Sequence, residues 1–304
     1  MYDVIIIGTG CAGMTAGVYA LRYNLKSIII GKDLGGVANE AHKVENWPSY
    51  PSISGMDLMN KFKKNIDYLK GEIVNDEVVE ICKKKDIFTI KTEKEIYKSK
   101  ALILAVGLRR RKLNIKGEDD FFGKGLTYCA TCDAPFFKDK IVGVVGGSDS
   151  AARAAQLCSE YAKKVYVIYR KDKMRAEPML VQHLEEDNNV EFIFNTNVSE
   201  AMGSNFLEKV KLDNGKELEV QGLVIEVGSI PSTNLFKELK VRYDNQGYIL
   251  VNESMATNVK GVYAAGDITT GSNMMRQIIT GAAEGAIAAE SVFKLIKNME
   301  HESN

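Results

Sequence analysis

The sequence predicts an α/β protein made of two Rossmann-like nucleotide-binding domains, the second inserted into the first. Three observations carry this expectation. A short apolar run, Asp3–Ile7, leads directly into a glycine loop, GTGCAG (8–13). A second apolar run, IVGVV (141–145), leads into a near-copy of that loop, GGSDSA (146–151). Each loop is followed by helical spacing and then by another apolar run, which is the pattern of a βαβ unit with parallel strands.

The elements follow in order. Met14–Asn24 carries Ala16, Val18, Ala20 and Leu21 at helical spacing, and Ser27–Ile30 is the next strand. In the second unit, Ser150–Tyr161 is an Ala-rich helix and Lys164–Tyr169 a strand. Beyond Asn195 short strands take over, and VKLDNGKELEV (210–220) reads as a hairpin turning at Asn214-Gly215. Met274–Lys297 reads as one long helix whose Ala and Gly residues permit a close approach, expected to be to a cofactor.

A chain of 304 residues with 45% apolar content has room for about two packed domains. Forty basic residues balance 40 acidic ones, so no basic surplus points to nucleic acid or an anionic membrane. No apolar run approaches the roughly 20 residues that span a bilayer. The start, MYDVIIIG, lacks the basic region and cleavage site of a signal peptide. A cytoplasmic protein is expected.

In GTGCAG, Gly8 makes the tight turn, Gly10 admits a pyrophosphate and Gly13 lets helix and strand pack. The phosphates meet backbone N–H groups at the helix start. The acid usual at the end of the second strand is absent. Gly31 and Lys32 stand there, with Asp33 the nearest substitute.

Of five cysteines, only Cys129 and Cys132 are close in sequence; Cys11, Cys82 and Cys158 are expected to be small buried hydrophobes. YCATCDAPFF (128–137) has three readings. Zinc needs a second ligand pair, and His42, His183 and His301 are scattered, so no metal site is expected. An inert disulfide does not suit a reducing compartment. A redox dithiol fits best, because the two-residue spacer permits a reversible disulfide and depresses one thiol pKa. Asp133 is placed either to move a proton to a leaving thiolate or to cap a turn.

GTGCAG (8–13), VENWP (44–48), CATCD (129–133), GVYAAGD (261–267) and RQ (276–277), in this order, resemble the low-molecular-weight thioredoxin reductases. The resemblance covers nearly the whole chain. It implies an FAD domain, 1–113 with 245–304, interrupted by an NAD(P)H domain, 114–244, that carries the dithiol. Gly8, Gly10 and Gly13 would bind the FAD pyrophosphate. Asn46 would lie near the isoalloxazine, Gly266 and Asp267 at the ribityl chain, and Arg276 and Gln277 at the opening of the last helix, facing the flavin pyrimidine. Cys132 would face the flavin, with Cys129 its partner. Ala134 after Asp133 and Val37 after Gly36 depart from the family pattern but remove no reacting group.

In relatives the second loop reads G-x-G-x-x-A. Here Gly146 and Ala151 survive, Ser148 replaces the second glycine, and Ser150 lies between. Downstream, YRKDKMRA (169–176) matches the run that clasps the 2′-phosphate of NADPH. Tyr169 replaces a histidine, while Arg170, Lys171 and Arg175 keep three cations. The expectation is a homodimeric reductase passing electrons from NADPH through FAD and Cys129–Cys132 to a thioredoxin-like protein. The alternatives are another donor (NADH or ferredoxin), a flavin dithiol oxidase, and a redox-sensing nucleotide-binding regulator.

Overall fold

The computed structural model describes residues 1–41, 44–231 and 234–302, so His42 lies outside the described residues. The chain forms two compact units, Met1–Arg109 with Ile230–Asn304, and Arg110–Ser229.

The first unit opens with β1 (Tyr2–Ile7), α1 (Cys11–Arg22) and β2 (Ser27–Ile30). Then come α2 (Gly55–Tyr68), β3 (Glu72–Val74), β4 (Val78–Lys84), β5 (Ile87–Thr92) and β6 (Ile96–Leu104). The strands lie in the order β3-β2-β1-β6-β5-β4. The pairs β3–β2, β2–β1 and β1–β6 are parallel, and β4 and β5 continue antiparallel. The run of isoleucines in β1 is continuous rather than alternating because both faces are covered. Val4 and Ile6 pack on the alanines of α1, while Ile5 and Ile7 pack with Phe88, Leu102 and Leu104.

The chain leaves through β7 (Leu108–Arg110). The second unit runs through α3 (Glu118–Phe121), β8 (Leu126–Thr127), α4 (Ala130–Asp133), β9 (Ile141–Val145), α5 (Asp149–Ser159) and β10 (Lys164–Ile168). It continues with α6 (Pro178–Glu185), β11 (Val190–Ile193), β12 (Val198–Gly203), β13 (Leu207–Leu212), β14 (Glu217–Glu219) and β15 (Gly222–Ile225). Its parallel sheet has the order β11-β10-β9-β15-β8, and β12-β13-β14 form a separate antiparallel sheet. The β13–β14 turn contains Gly215 at φ +85°, which the Asn-Gly pair supplies without strain.

The chain returns through β16 (Ser229–Pro231), which pairs with β7. This return lies earlier than residue 245. The reason is packing: Phe236, Leu239, Val241 and Ile249 join Ile81, Phe88 and Ile90 in the core of the first unit. The unit is completed by β17 (Val262–Ala264), parallel to β6, and α7 (Ile278–Glu302).

The last helix starts later than Met274, because Asn273 and Met274 hold φ of +51° and +61° and interrupt it. Its small residues approach α1 closely. A Cβ on Gly285 would lie 2.1 Å from the Ala12 carbonyl oxygen, and one on Gly281 3.1 Å from Cys11 Sγ. Cys158 is buried as expected, whereas Cys11 and Cys82 are only partly covered.

Candidate functional site: two glycine loops and a disulfide

The first glycine loop joins β1 to α1. Gly8 has φ +117°, and a Cβ there would meet the Ala105 carbonyl oxygen at 2.1 Å. A Cβ on Gly13 would meet the Gly8 carbonyl oxygen at 1.9 Å. Gly10 differs: its nearest neighbour is the Gly35 carbonyl oxygen at 3.9 Å, so its outer side is open. Gly10 is the N-cap of α1, no side chain caps it, and the first turn holds no acid. Open space over uncapped N–H groups suits a pyrophosphate. Asp33 contributes through its main chain, its carbonyl accepting the Thr9 hydroxyl at 2.8 Å.

The other residues expected around a flavin converge on this unit. Trp47 packs on Phe62 of α2 with ring centroids 5.3 Å apart, and Val44 pairs with Ile53. These contacts fix the VENWP segment, and Asn46 Nδ2 donates to Gln277 Oε1 at 2.9 Å. Gln277 stands at the mouth of α7, its carbonyl accepting the Gly281 N–H at 3.0 Å. Arg276 therefore precedes the helix rather than opening it. Its guanidinium lies 4.0 Å from the Tyr248 ring centroid, a cation–π contact. Arg276 Nε is buried without a hydrogen-bond partner among the described residues.

Asp267 follows Gly266 (φ +82°) at the end of β17. Burial raises its pKa; Arg276 opposes the rise and Glu284 adds to it. Burial, with Asp267 close by, pushes the Cys11 thiol up to about 12. The Cys11 thiol is therefore protonated at neutral pH. Glu284, Tyr248 and the Tyr248–Arg276 contact were not read from the sequence. The orphaned Arg276 nitrogen, the open Gly10 and the uncapped α1 together fit an anionic dinucleotide such as FAD.

The second loop repeats the first with its bulk exchanged. Gly146 has φ +154°, and a Cβ there would meet the Glu226 carbonyl oxygen at 2.3 Å, as Gly8 does with Ala105. Ser148 is the N-cap of α5 with φ −98° and ψ 177°, close to the −76° and −176° of Gly10. A serine takes this extended backbone without strain. The crowded glycine is instead Gly147, where a Cβ would lie 2.3 Å from the Tyr169 ring. In the first loop the equivalent pair is Thr9 and Gly31, and a Cβ on Gly31 would lie 2.9 Å from Thr9 Oγ1. One loop carries the side chain on the turn and the other carries it on the strand end.

Ala151 is fully buried under this loop and Ser150 is exposed. Arg175 N–H donates to the Gly147 carbonyl at 2.8 Å, which draws the 169–176 segment to the glycine turn. Arg170, Lys171 and Arg175 are exposed. No ion pair engages any of the three among the described residues. Asp149, in the first turn of α5, counts against a phosphate there by its sign, although its Oδ1 is held by the Glu177 N–H at 2.9 Å.

Cys129 and Cys132 form a disulfide in this unit, with Cα atoms 5.3 Å apart. Cys129 N–H donates to Thr127 Oγ1 at 3.0 Å, and Cys132 N–H to Cys129 Sγ at 3.2 Å. Cys132 is the more exposed of the two. Asp133 closes the short helix through its N–H to the Cys129 carbonyl at 3.2 Å. It is also the N-cap residue of the following turn, Ala134–Phe137, but its side chain makes no capping hydrogen bond there. Just before the dithiol, Tyr128 Oη donates to Glu118 at 2.5 Å. Glu118, only 4% exposed, also accepts the N–H groups of Leu113, Asn114 and Ile115. Among the described residues, no group of His, Cys, Asp or Glu is arranged to hold a metal ion, and no helix is long and apolar enough to cross a membrane.

Two Rossmann-like units, one carrying a surface-accessible disulfide, define a flavoprotein disulfide oxidoreductase. The pattern of the pyridine nucleotide-disulphide oxidoreductases matches residues 2–286. The thioredoxin reductase of Listeria innocua is 36% identical over 307 residues, covering 99% of this chain and 95% of its own. The structure of Lactococcus lactis thioredoxin reductase matches with a TM-score of 0.91 at 32% identity, covering 98% of this chain and 100% of that one. A ferredoxin-flavin thioredoxin reductase from Clostridium acetobutylicum matches with a TM-score of 0.54 at 33% identity, covering 98% of each chain. The chain belongs to the pyridine nucleotide-disulphide oxidoreductase family and, within it, to the low-molecular-weight thioredoxin reductases.

Proposed function

We propose that this protein is an NADPH-dependent thioredoxin-disulfide reductase, a cytoplasmic homodimer that reduces a thioredoxin-like protein. The observation that carries the reading is the Cys129–Cys132 disulfide, with Cys132 exposed, on the same unit as a glycine loop flanked by three cations that have no ion-pair partner among the described residues.

The fold and site fit FAD, which would supply the two-electron carrier between the nicotinamide and the disulfide. Gly8, Gly10 and Gly13 would hold its pyrophosphate at the start of α1, Gly266 and Asp267 would hold the ribityl chain, and Asn46, Arg276 and Gln277 would bind near the ring. Gly146, Ser148, Ser150 and Ala151 form the cradle for the NADPH pyrophosphate. Arg170, Lys171 and Arg175 neutralise the 2′-phosphate.

Two electrons and two protons convert the Cys129–Cys132 disulfide to a dithiol, and Asp133 handles a proton at the leaving sulfur. One thiolate then attacks the partner's disulfide and releases one of its sulfurs as a thiol. The second cysteine resolves the mixed disulfide, which restores Cys129–Cys132 and leaves the partner with two thiols.

The likeness to a ferredoxin-flavin reductase supports a second reading of the donor alone. Anaerobic mixing of the holoprotein with NADPH, NADH or reduced ferredoxin separates the two. NADPH is expected to bleach the flavin fastest. Bleaching by ferredoxin with neither nucleotide active would overturn the NADPH assignment while leaving the dithiol chemistry intact.

A further inference from the structure

Glu284 is the one acidic side chain in the first three turns of α7, and it is only 3% exposed. Its placement follows from its neighbours. Gly281 and Gly285 let α7 lie against the first turn of α1, which brings the intervening residue onto the end of β17. Glu284 Oε2 accepts the Gly266 N–H at 2.8 Å and the Thr269 hydroxyl at 2.9 Å. Its other oxygen, Oε1, fills the space left by the missing side chain of Gly271, 2.5 Å from where a Cβ would stand. One carboxylate therefore grips both ends of the 266–271 turn, and Asp267 lies inside that grip.

Burying a carboxylate costs several kcal/mol unless donors replace its water. A well-packed apolar side chain usually serves stability as well as a buried charge does. An acid retained at this depth therefore calls for a role other than stability. We propose that Glu284 is a positioning residue for flavin binding: it holds Gly266 and Thr269 so that Asp267 presents its carboxylate to the ribityl hydroxyls. This rests on the reading of Asp267 as a ribityl ligand.

The test is FAD affinity of the apoprotein, read from the quenching of FAD fluorescence on titration, together with the thermal midpoint of each apoprotein. Losing hydrogen bonds to a charged acceptor corresponds to about tenfold or more in affinity, so Glu284→Ala and Asp267→Ala should each weaken FAD binding by that factor. Glu284→Gln keeps an acceptor oxygen and should stay within about threefold of the parent. Thr269→Val removes one donor and should fall between them, and it carries the test if Glu284→Ala does not fold. The proposal is overturned if Glu284→Ala binds FAD like the parent, or if Glu284→Ala and Glu284→Gln weaken it equally. It is equally overturned if Thr269→Val, standing in for an unfolded Glu284→Ala, binds FAD like the parent. If Asp267→Ala binds FAD normally, the ribityl assignment falls and takes this route with it. If only Asp267→Ala weakens binding, the role of Glu284 alone falls.

Discussion

The Asn46 side-chain amide donates to the Gln277 side-chain oxygen at 2.9 Å, joining residues 231 apart in sequence. The bond ties the VENWP segment to the residue whose carbonyl starts α7. Both partners are exposed, so the bond is a modest one, on the order of 0.5–1.5 kcal/mol. Asn46→Ala and Gln277→Ala are each expected to weaken FAD binding roughly two- to tenfold. The double variant should bind no worse than the weaker single one, because either change removes the same bond. Additive losses in a titration of all three variants would show that the two residues act separately.

The exchange of bulk between the two loops predicts a rescue. Gly147→Thr drives a side chain into the Tyr169 ring and should destabilise the protein by about 1–3 kcal/mol. Tyr169→Gly leaves a cavity and should destabilise it as well, by about 3–5 kcal/mol. Combining them rebuilds the Thr9–Gly31 arrangement and should recover a large part of the loss. Thermal unfolding of the three variants measures this, and a double variant worse than both singles would refute the equivalence.

The cation cluster predicts a split between nucleotides. Replacing Arg170, Lys171 or Arg175 by Ala should raise the KM for NADPH roughly tenfold, corresponding to about 1.4 kcal/mol of lost phosphate binding. The KM for NADH, which lacks the 2′-phosphate, should barely change. Equal effects on both nucleotides in steady-state kinetics would move the cations away from the 2′ position.

Tyr128 predicts an alkaline effect. Burial, then Glu118, raises the phenol pKa above its ordinary value. The folded state therefore holds this proton more tightly than the unfolded chain does. That contribution is fully present below the unfolded pKa of about 10 and is lost as pH rises above it. Tyr128→Phe should be less stable near neutrality, by about 1–3 kcal/mol for a hydrogen bond to a charged group. Its stability should also fall less steeply above pH ~10. Urea unfolding of both proteins across that range checks the sign.

Both βαβ units were legible because each apolar run ends on glycine and each helix repeats small residues at a fixed spacing. CATCD was legible because its chemistry is local. What escaped depends on contacts between distant residues. Glu284 sits in an Ala- and Gly-rich helix where a single acid reads as a solvated position. Only the Gly285–Ala12 approach turns it inward. Ser148 stands where the loop pattern has its second glycine, yet the crowding falls on Gly147, decided by Tyr169 a strand away. The Tyr248 ring under Arg276 and the carboxylate of Glu118 behind Tyr128 left no periodic trace.

The pairing of β7 with β16 has a consequence for how this chain can be taken apart. Arg111 N–H donates to the Gly228 carbonyl at 2.9 Å, so the inserted segment begins and ends at neighbouring points. Excising 110–229 would leave two stumps about one strand spacing apart, roughly 4.8 Å, which a short glycine bridge would span. The excised piece, with its ends equally close, is suited to head-to-tail ligation as a ring. A gene fusion that swaps the insert for another dithiol module would need only those two splice points.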